Sequence, residues 1–92
     1  MTVKIKLFAT LRKKTGTGEL EFEASDVKEA LEELVSEFEE LEDVIFESRD
    51  NEELKENITV IKDGRNIIYL DGLDTELKPE DSISVFPSVG GG

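Results

Sequence analysis

Asp26-Val27-Lys28-Glu29-Ala30-Leu31-Glu32-Glu33-Leu34-Val35-Ser36-Glu37-Phe38-Glu39-Glu40-Leu41 is the stretch that decides the fold. Val27, Ala30, Leu31, Leu34, Val35, Phe38 and Leu41 recur at i, i+3, i+4, i+7, i+8, i+11 and i+14, which is one apolar stripe of a helix about four turns long. Ser25-Asp26 opens it, and Asp26 followed three residues later by Glu29 fits a capping box. At ~1.5–3 kcal/mol per large buried side chain, the stripe contributes on the order of 10 kcal/mol before chain entropy is counted. Glu29–Glu33 and Glu33–Glu37 are like-charge pairs at i,i+4, which cost only ~0.2–0.5 kcal/mol each. Burial therefore wins, and the acidic face is left for solvent or a partner.

On either side of this helix the pattern is that of strands. Thr2–Phe8 alternates, with Val3, Ile5 and Leu7 on one face and Lys4 and Lys6 on the other. Lys13-Lys14-Thr15-Gly16-Thr17-Gly18 reads as a turn, and Glu19–Glu23 alternates again with Leu20 and Phe22 inward, so the two strands form a hairpin. After the helix, Val44, Ile45 and Phe46 are apolar enough to pack, whereas Ser48–Asn57 is almost wholly polar and reads as an exposed loop, with or without a short helical turn. Ile58–Lys62 is a third strand, Asp63-Gly64 a tight turn, and Asn66–Leu70 a short strand. Asp71-Gly72 and Pro79-Glu80-Asp81 are further turns, and Ser82–Phe86 is the last strand, with Ile83 and Val85 inward. A helix between the second and third strands supplies the crossover that parallel neighbours need, and the long first and last strands belong at the centre. The expected fold is α+β, a ubiquitin-like β-grasp with a mixed sheet and one main helix across one face. Residues 1–87 form the domain and residues 88–92 a flexible tail.

Composition removes most catalytic chemistry. The 92 residues include no cysteine and no histidine, which excludes disulfides, thiolate metal sites and every nucleophile–histidine pairing. Asp71 and Asp74 flank Gly72 with spacing usual for a turn, so no metal site is expected. The net charge of −12 argues against nucleic acid as a partner. Residues 1–18 hold Lys4, Lys6, Arg12, Lys13 and Lys14 and no acid, whereas residues 19–56 hold seventeen acids against Lys28, Arg49 and Lys55. Three readings stand: a solvated acidic helix beside a basic hairpin, electrostatic steering toward a basic partner surface, or a salt-loving source. Arg12, Lys13 and Lys14 read as a solvated turn. Met1-Thr2-Val3-Lys4-Ile5-Lys6 alternates apolar with charged residues and is not a signal-peptide core, and no apolar run approaches a membrane span. The expected location is cytoplasmic.

The chain closes on Phe86-Pro87-Ser88-Val89-Gly90-Gly91-Gly92. Glycine loses the most backbone entropy on ordering, so this end is expected to be mobile unless gripped, and without side chains it can thread a narrow channel. Ser88–Gly92 spans roughly 15–18 Å when extended, at ~3.3–3.6 Å per residue. The Gly92 carboxylate can thus be presented to another protein's active site on a tether of Gly90 and Gly91. Counting by twos puts Phe8 and Phe86 on the face opposite the inward residues. They either pack on each other or on a loop, or form an exposed apolar patch for docking, with Ile61 as a third member.

Four segments in order carry a resemblance. Phe8-Ala9-Thr10-Leu11-Arg12, Leu70-Asp71-Gly72-Leu73-Asp74-Thr75-Glu76-Leu77, Glu80-Asp81 (where Gly-Asp is common) and Phe86-Pro87-Ser88-Val89-Gly90-Gly91-Gly92 look like the corresponding stretches of ubiquitin-like sulfur carriers of the MoaD/ThiS type. The sequence resembles most the small subunit of molybdopterin synthase and the archaeal ubiquitin-like modifiers. The resemblance implies that an E1-like adenylating enzyme, using its own ATP and Mg²⁺, activates Gly92, and that a sulfur donor converts the acyl-adenylate to a thiocarboxylate. The large subunit of molybdopterin synthase would then receive the sulfur, and the chain would carry no catalytic residue or cofactor of its own. It also implies Phe8, Ile61, Phe86, Pro87 and Val89 as partner-binding residues. Two alternatives share the same tail: a protein modifier joined through Gly92 to lysines of target proteins, and a sulfur carrier for thiamin or tRNA thiolation.

Overall fold

The computed structural model describes residues 2–48 and 53–87. Its seven strands are β1 (Val3–Leu7), β2 (Glu19–Phe22), β3 (Phe46–Ser48), β4 (Glu53–Leu54), β5 (Ile58–Lys62), β6 (Arg65–Asn66) and β7 (Ser82–Pro87). The helices are α1 (Ala9–Thr15), α2 (Val27–Glu37) and α3 (Glu42–Ile45). Five strands form one sheet in the order β2-β1-β7-β5-β6. β1 and β7 are central and parallel, with Leu7 beside Val85, and the other pairs are antiparallel. The α2 crossover makes the parallel pair possible, as the β-grasp expectation requires.

One sheet face and α2 enclose the core. Val3, Ile5, Leu7, Val60, Ile83 and Val85 meet Val27, Ala30, Leu31, Leu34 and Val35 there, all buried. The intervening strand positions, Lys4, Lys6, Thr59, Ser82, Ser84 and Phe86, face the opposite side, which none of the described helices covers. At the start of α2 the Asp26 Oδ1 accepts from Glu29 N–H at 2.8 Å. Glu29 Oε1 in return accepts from Ser25 N–H at 2.7 Å and Ser25 Oγ at 2.8 Å, so the capping box closes one residue early. Ser25 O and Thr75 O also tie this start to the loop before β7, through Leu77 N–H and Val27 N–H.

Four local expectations change. α2 ends at Glu37 rather than near Leu41, because Phe38 leaves helical backbone and a 3₁₀ turn, Glu39–Leu41, follows. Leu41 stays buried, so the apolar stripe continues while the helix does not. The stretch before Gly16 is a seven-residue helix, α1, pinned by buried Leu11 and ended by Gly16 at φ 77°, whose N–H reaches Arg12 O at 2.9 Å. The Ser48–Asn57 stretch holds β4, which pairs with β3 in a separate two-stranded sheet. Finally, Asn66–Leu70 is not a strand: β6 stops at Asn66, whose Oδ1 accepts from Ile68 N–H at 3.1 Å and starts a 3₁₀ turn, Ile67–Tyr69. The Asp63-Gly64 turn is as expected, with both residues at positive φ, the I′ geometry that suits a two-residue hairpin.

Candidate functional site

The central parallel pair builds the site. Because Leu7 lies beside Val85, the next residues, Phe8 and Phe86, come to the same end of the sheet, and alternation turns both outward. Their rings stack with centroids 4.4 Å apart and planes 12° apart. Both outcomes left open by the sequence hold together: the rings pack on each other, yet Phe8 is 37% and Phe86 36% exposed. Thr59 lies directly opposite Phe86, and half-buried Ile61, opposite Ser84, faces the same side one diagonal step away. Phe8, Ile61 and Phe86 therefore share the uncovered face.

Beyond β1 the chain turns sharply. Ala9 sits at φ 53°, a left-handed conformation that non-glycine residues seldom adopt, and α1 starts at once. Leu11 N–H reaches Phe8 O at 3.2 Å, and the Leu11 side chain is fully buried. Phe8 is thus fixed between a strand end and an anchored helix rather than hanging from a loop. Pro87 holds the last register of β7, opposite Ile58. It has no N–H to give, so the β7 ladder takes no donor from its final position. Ser88, Val89, Gly90, Gly91 and Gly92 lie outside the described residues, so the expected tether and the Gly92 carboxyl are placed only by sequence, after Pro87.

The charged groups around this end are sorted by side. Arg12, Lys13 and Lys14 are exposed on α1, and Lys4 and Lys6 on the uncovered face of β1. The Arg12 side chain lies over Gly18, where an added Cβ would come within 3.1 Å of its Nε. The exposed acids of α2, among them Glu29, Glu33 and Glu37, point away on the far side of the core. Among the described residues, two groups have shifted pKa values. Hydrogen bonds from Ser25 hold the Glu29 carboxyl below its ordinary 4.5. The hydrogen bond to Asp63, at 2.9 Å, with Asp81 at 3.7 Å, raises the Lys62 ammonium.

Asp71 and Asp74 are parts of a turn. Asp74 N–H donates to Asp71 O, Asp71 N–H donates to Thr75 Oγ1 at 3.1 Å, and Thr75 Oγ1 donates to Gly72 O at 2.7 Å. Among the described residues no helix is long and apolar enough to cross a membrane. Ile68 and Tyr69, 69% and 79% exposed, form a second apolar pair at the β6 edge. Reading Asn66–Leu70 as a strand hid them; the Asn66 cap was the signal available.

Known proteins share this architecture. The solution structure of small archaeal modifier protein 1 from Methanosarcina acetivorans is 40% identical with a TM-score of 0.88, covering 99% of this chain and 96% of that one. Small archaeal modifier protein 3 of Haloferax volcanii is 34% identical over 95 residues, with both chains covered completely. A putative molybdopterin converting factor subunit 1 from Pyrococcus furiosus is 30% identical, covering 97% of this chain and 99% of that one, with a TM-score of 0.74. The ThiS family model matches residues 5–92, and with this fold the chain belongs to the ThiS family, as a ubiquitin-like protein of the sulfur-carrier and modifier type.

Proposed function

We propose that the chain delivers its Gly92 carboxyl to an E1-like adenylating enzyme and then carries sulfur as a thiocarboxylate for molybdopterin synthesis. The observation that supports it most is the position of the exposed Phe8–Phe86 stack, at the strand end from which Ser88–Gly92 continues. A partner that covers these rings and Ile61 beside them, and that also contacts Pro87 and Val89, receives the glycines beside its own nucleotide site. The similarity to a putative molybdopterin converting factor subunit favours this use.

The chemistry divides between the two proteins. A Gly92 carboxylate oxygen attacks the α-phosphorus of ATP, pyrophosphate leaves, and the acyl-adenylate forms. Sulfur supplied at the level of hydrosulfide then attacks the acyl carbon, AMP leaves, and loss of the proton gives the thiocarboxylate. Cationic groups and Mg²⁺ in the partner stabilise the phosphoryl charge, and this chain contributes position. The thiocarboxylate then gives its sulfur to the pyranopterin precursor held by a large synthase subunit. A second reading, isopeptide bonding of Gly92 to lysines of target proteins, is favoured by the modifier names of two relatives.

Intact mass of the C-terminal peptide from native cells tests both. Replacement of a Gly92 oxygen by sulfur supports the carrier, and a glycyl-lysine remnant supports the modifier. Deletion of Gly91 and Gly92 is expected to abolish activation with an unchanged melting curve, and Phe86→Ala to slow it at least tenfold. A truncated chain that still gains sulfur overturns the proposal.

A further inference from the structure

The net charge of −12 points to a cationic partner, but the charge around the proposed docking end has the other sign. β1 and β7 are parallel, so α1, which follows β1, stands at the end where β7 finishes. α1 carries Arg12, Lys13 and Lys14, all exposed, and no acid. Lys6 extends this cationic strip onto the uncovered face, two residues before the stacked Phe8. From Val27 to Ile45 the chain holds eight acids against Lys28, but α2 carries its exposed acids on the opposite side of the core. Glu19 and Glu21, opposite Lys6 and Lys4 on β2, lie toward the sheet edge, away from Phe86. On the other flank of β7, Glu47, Glu53 and Glu56 line a cleft with Lys55 and Leu54, and the segment leads into Ile58, the partner of Pro87. The end of β7 therefore has cations on its β1 side and carboxylates on its β5 side.

We infer that the protein surface receiving this domain is rich in carboxylates where it faces α1, beside the apolar pocket that covers Phe8 and Phe86. This rests on the proposed activation of Gly92 and adds the chemistry of the partner's surface to it. Like charges brought together in a docked complex are strongly unfavourable, so a cationic surface over α1 is selected against. The two signs on either side of β7 also fix the rotation of the domain on its partner, which an apolar patch alone leaves loose. The acids of α2 lie more than one face away and are screened within a Debye length of about 8 Å at physiological salt. They keep the free protein soluble without opposing the encounter.

The test is ATP–pyrophosphate exchange driven by the E1-like enzyme of the same cells, measured against the concentration of this chain at low and high salt. Arg12→Gln/Lys13→Gln/Lys14→Gln keeps good helix formers in α1 and removes three charges. It is expected to raise the KM for this chain at least tenfold at low salt, to flatten the salt dependence, and to leave the KM for ATP unchanged. Lys13→Glu/Lys14→Glu should raise that KM further, and Glu33→Lys/Glu37→Lys on α2 should change it less than threefold. Melting curves confirm that each variant is folded. The inference is overturned if the α1 variants leave the KM unchanged, if the α2 reversal is the one that weakens docking, or if the KM for ATP rises instead, which would make the cations a phosphate contact. Absence of any exchange with the wild-type chain removes the proposed activation itself, and this inference with it.

Discussion

Among the described residues, three outside glycine take positive φ, and each sits where the chain must turn without room for a longer loop. Ala9, at φ 53°, redirects β1 into α1 and keeps Phe8 against Phe86. Asp63, at φ 52°, forms the β5–β6 hairpin with Gly64. Glu80, at φ 73°, donates its N–H to Thr2 O at 2.8 Å and clamps the turn before β7 to the start of β1. A left-handed backbone costs an L-residue roughly 1–2 kcal/mol, and glycine escapes that cost but loses more entropy on folding. Glu80→Gly is accordingly expected to stabilise the fold by about 0.5–1 kcal/mol, read as a higher urea midpoint with an unchanged slope. A lower midpoint would mean that the Glu80 side chain contributes more than its backbone strain costs.

At the scale of elements, α2 shows how a local signal and a long-range bond reinforce each other. Asp26 caps Glu29 N–H, Glu29 answers through Ser25, and Ser25 O accepts from Leu77 in the far loop. Asp26→Ala is expected to cost about 1 kcal/mol, the usual worth of such a cap. The Glu29 carboxyl is held below 4.5, so its contribution is complete above that pH and lost as pH falls through the lower folded value. Glu29→Gln should therefore flatten the acid limb of a stability–pH curve, and the two proteins should converge at the lowest pH. An unchanged acid limb would show that the Ser25 bonds do not favour the ionised form. The short elements follow another logic. α1 has a single buried residue, Leu11, and the β3–β4 pair has Phe46, with Leu54 half-buried across from it. With so few apolar positions, neither segment shows a period in sequence, and both depend on the sheet and α2 for their place.

For the molecule as a whole, charge is distributed by face, although the total is −12. The acids of α2 stand on its exposed side and repel one another, while the cations gather at the end of the central strands. Self-repulsion of this kind opposes the compact state and is relieved when salt shortens the Debye length to about 3 Å at 1 M. The melting temperature is thus expected to rise with sodium chloride from low concentration to 1 M, measured by calorimetry. A fall over that range would mean that ion pairs such as Lys62 with Asp63 and Asp81 outweigh the repulsion.

By itself the sequence determined the strands β1, β2, β5 and β7, the helix between them and the outward facing of Phe8 and Phe86. Periodicity of two or 3.6 is a local property, and the apolar residues repeat often enough in these segments to show it. The glycine terminus, too, is visible in sequence alone. Only the tertiary structure decided that the two phenylalanines stack, because 78 positions of chain separate them and the parallel register brings them together. It also decided where α2 stops, what the stretch before Gly16 becomes, and on which side of the core each sign of charge lies. These depend on packing between segments distant in sequence, which no local pattern encodes.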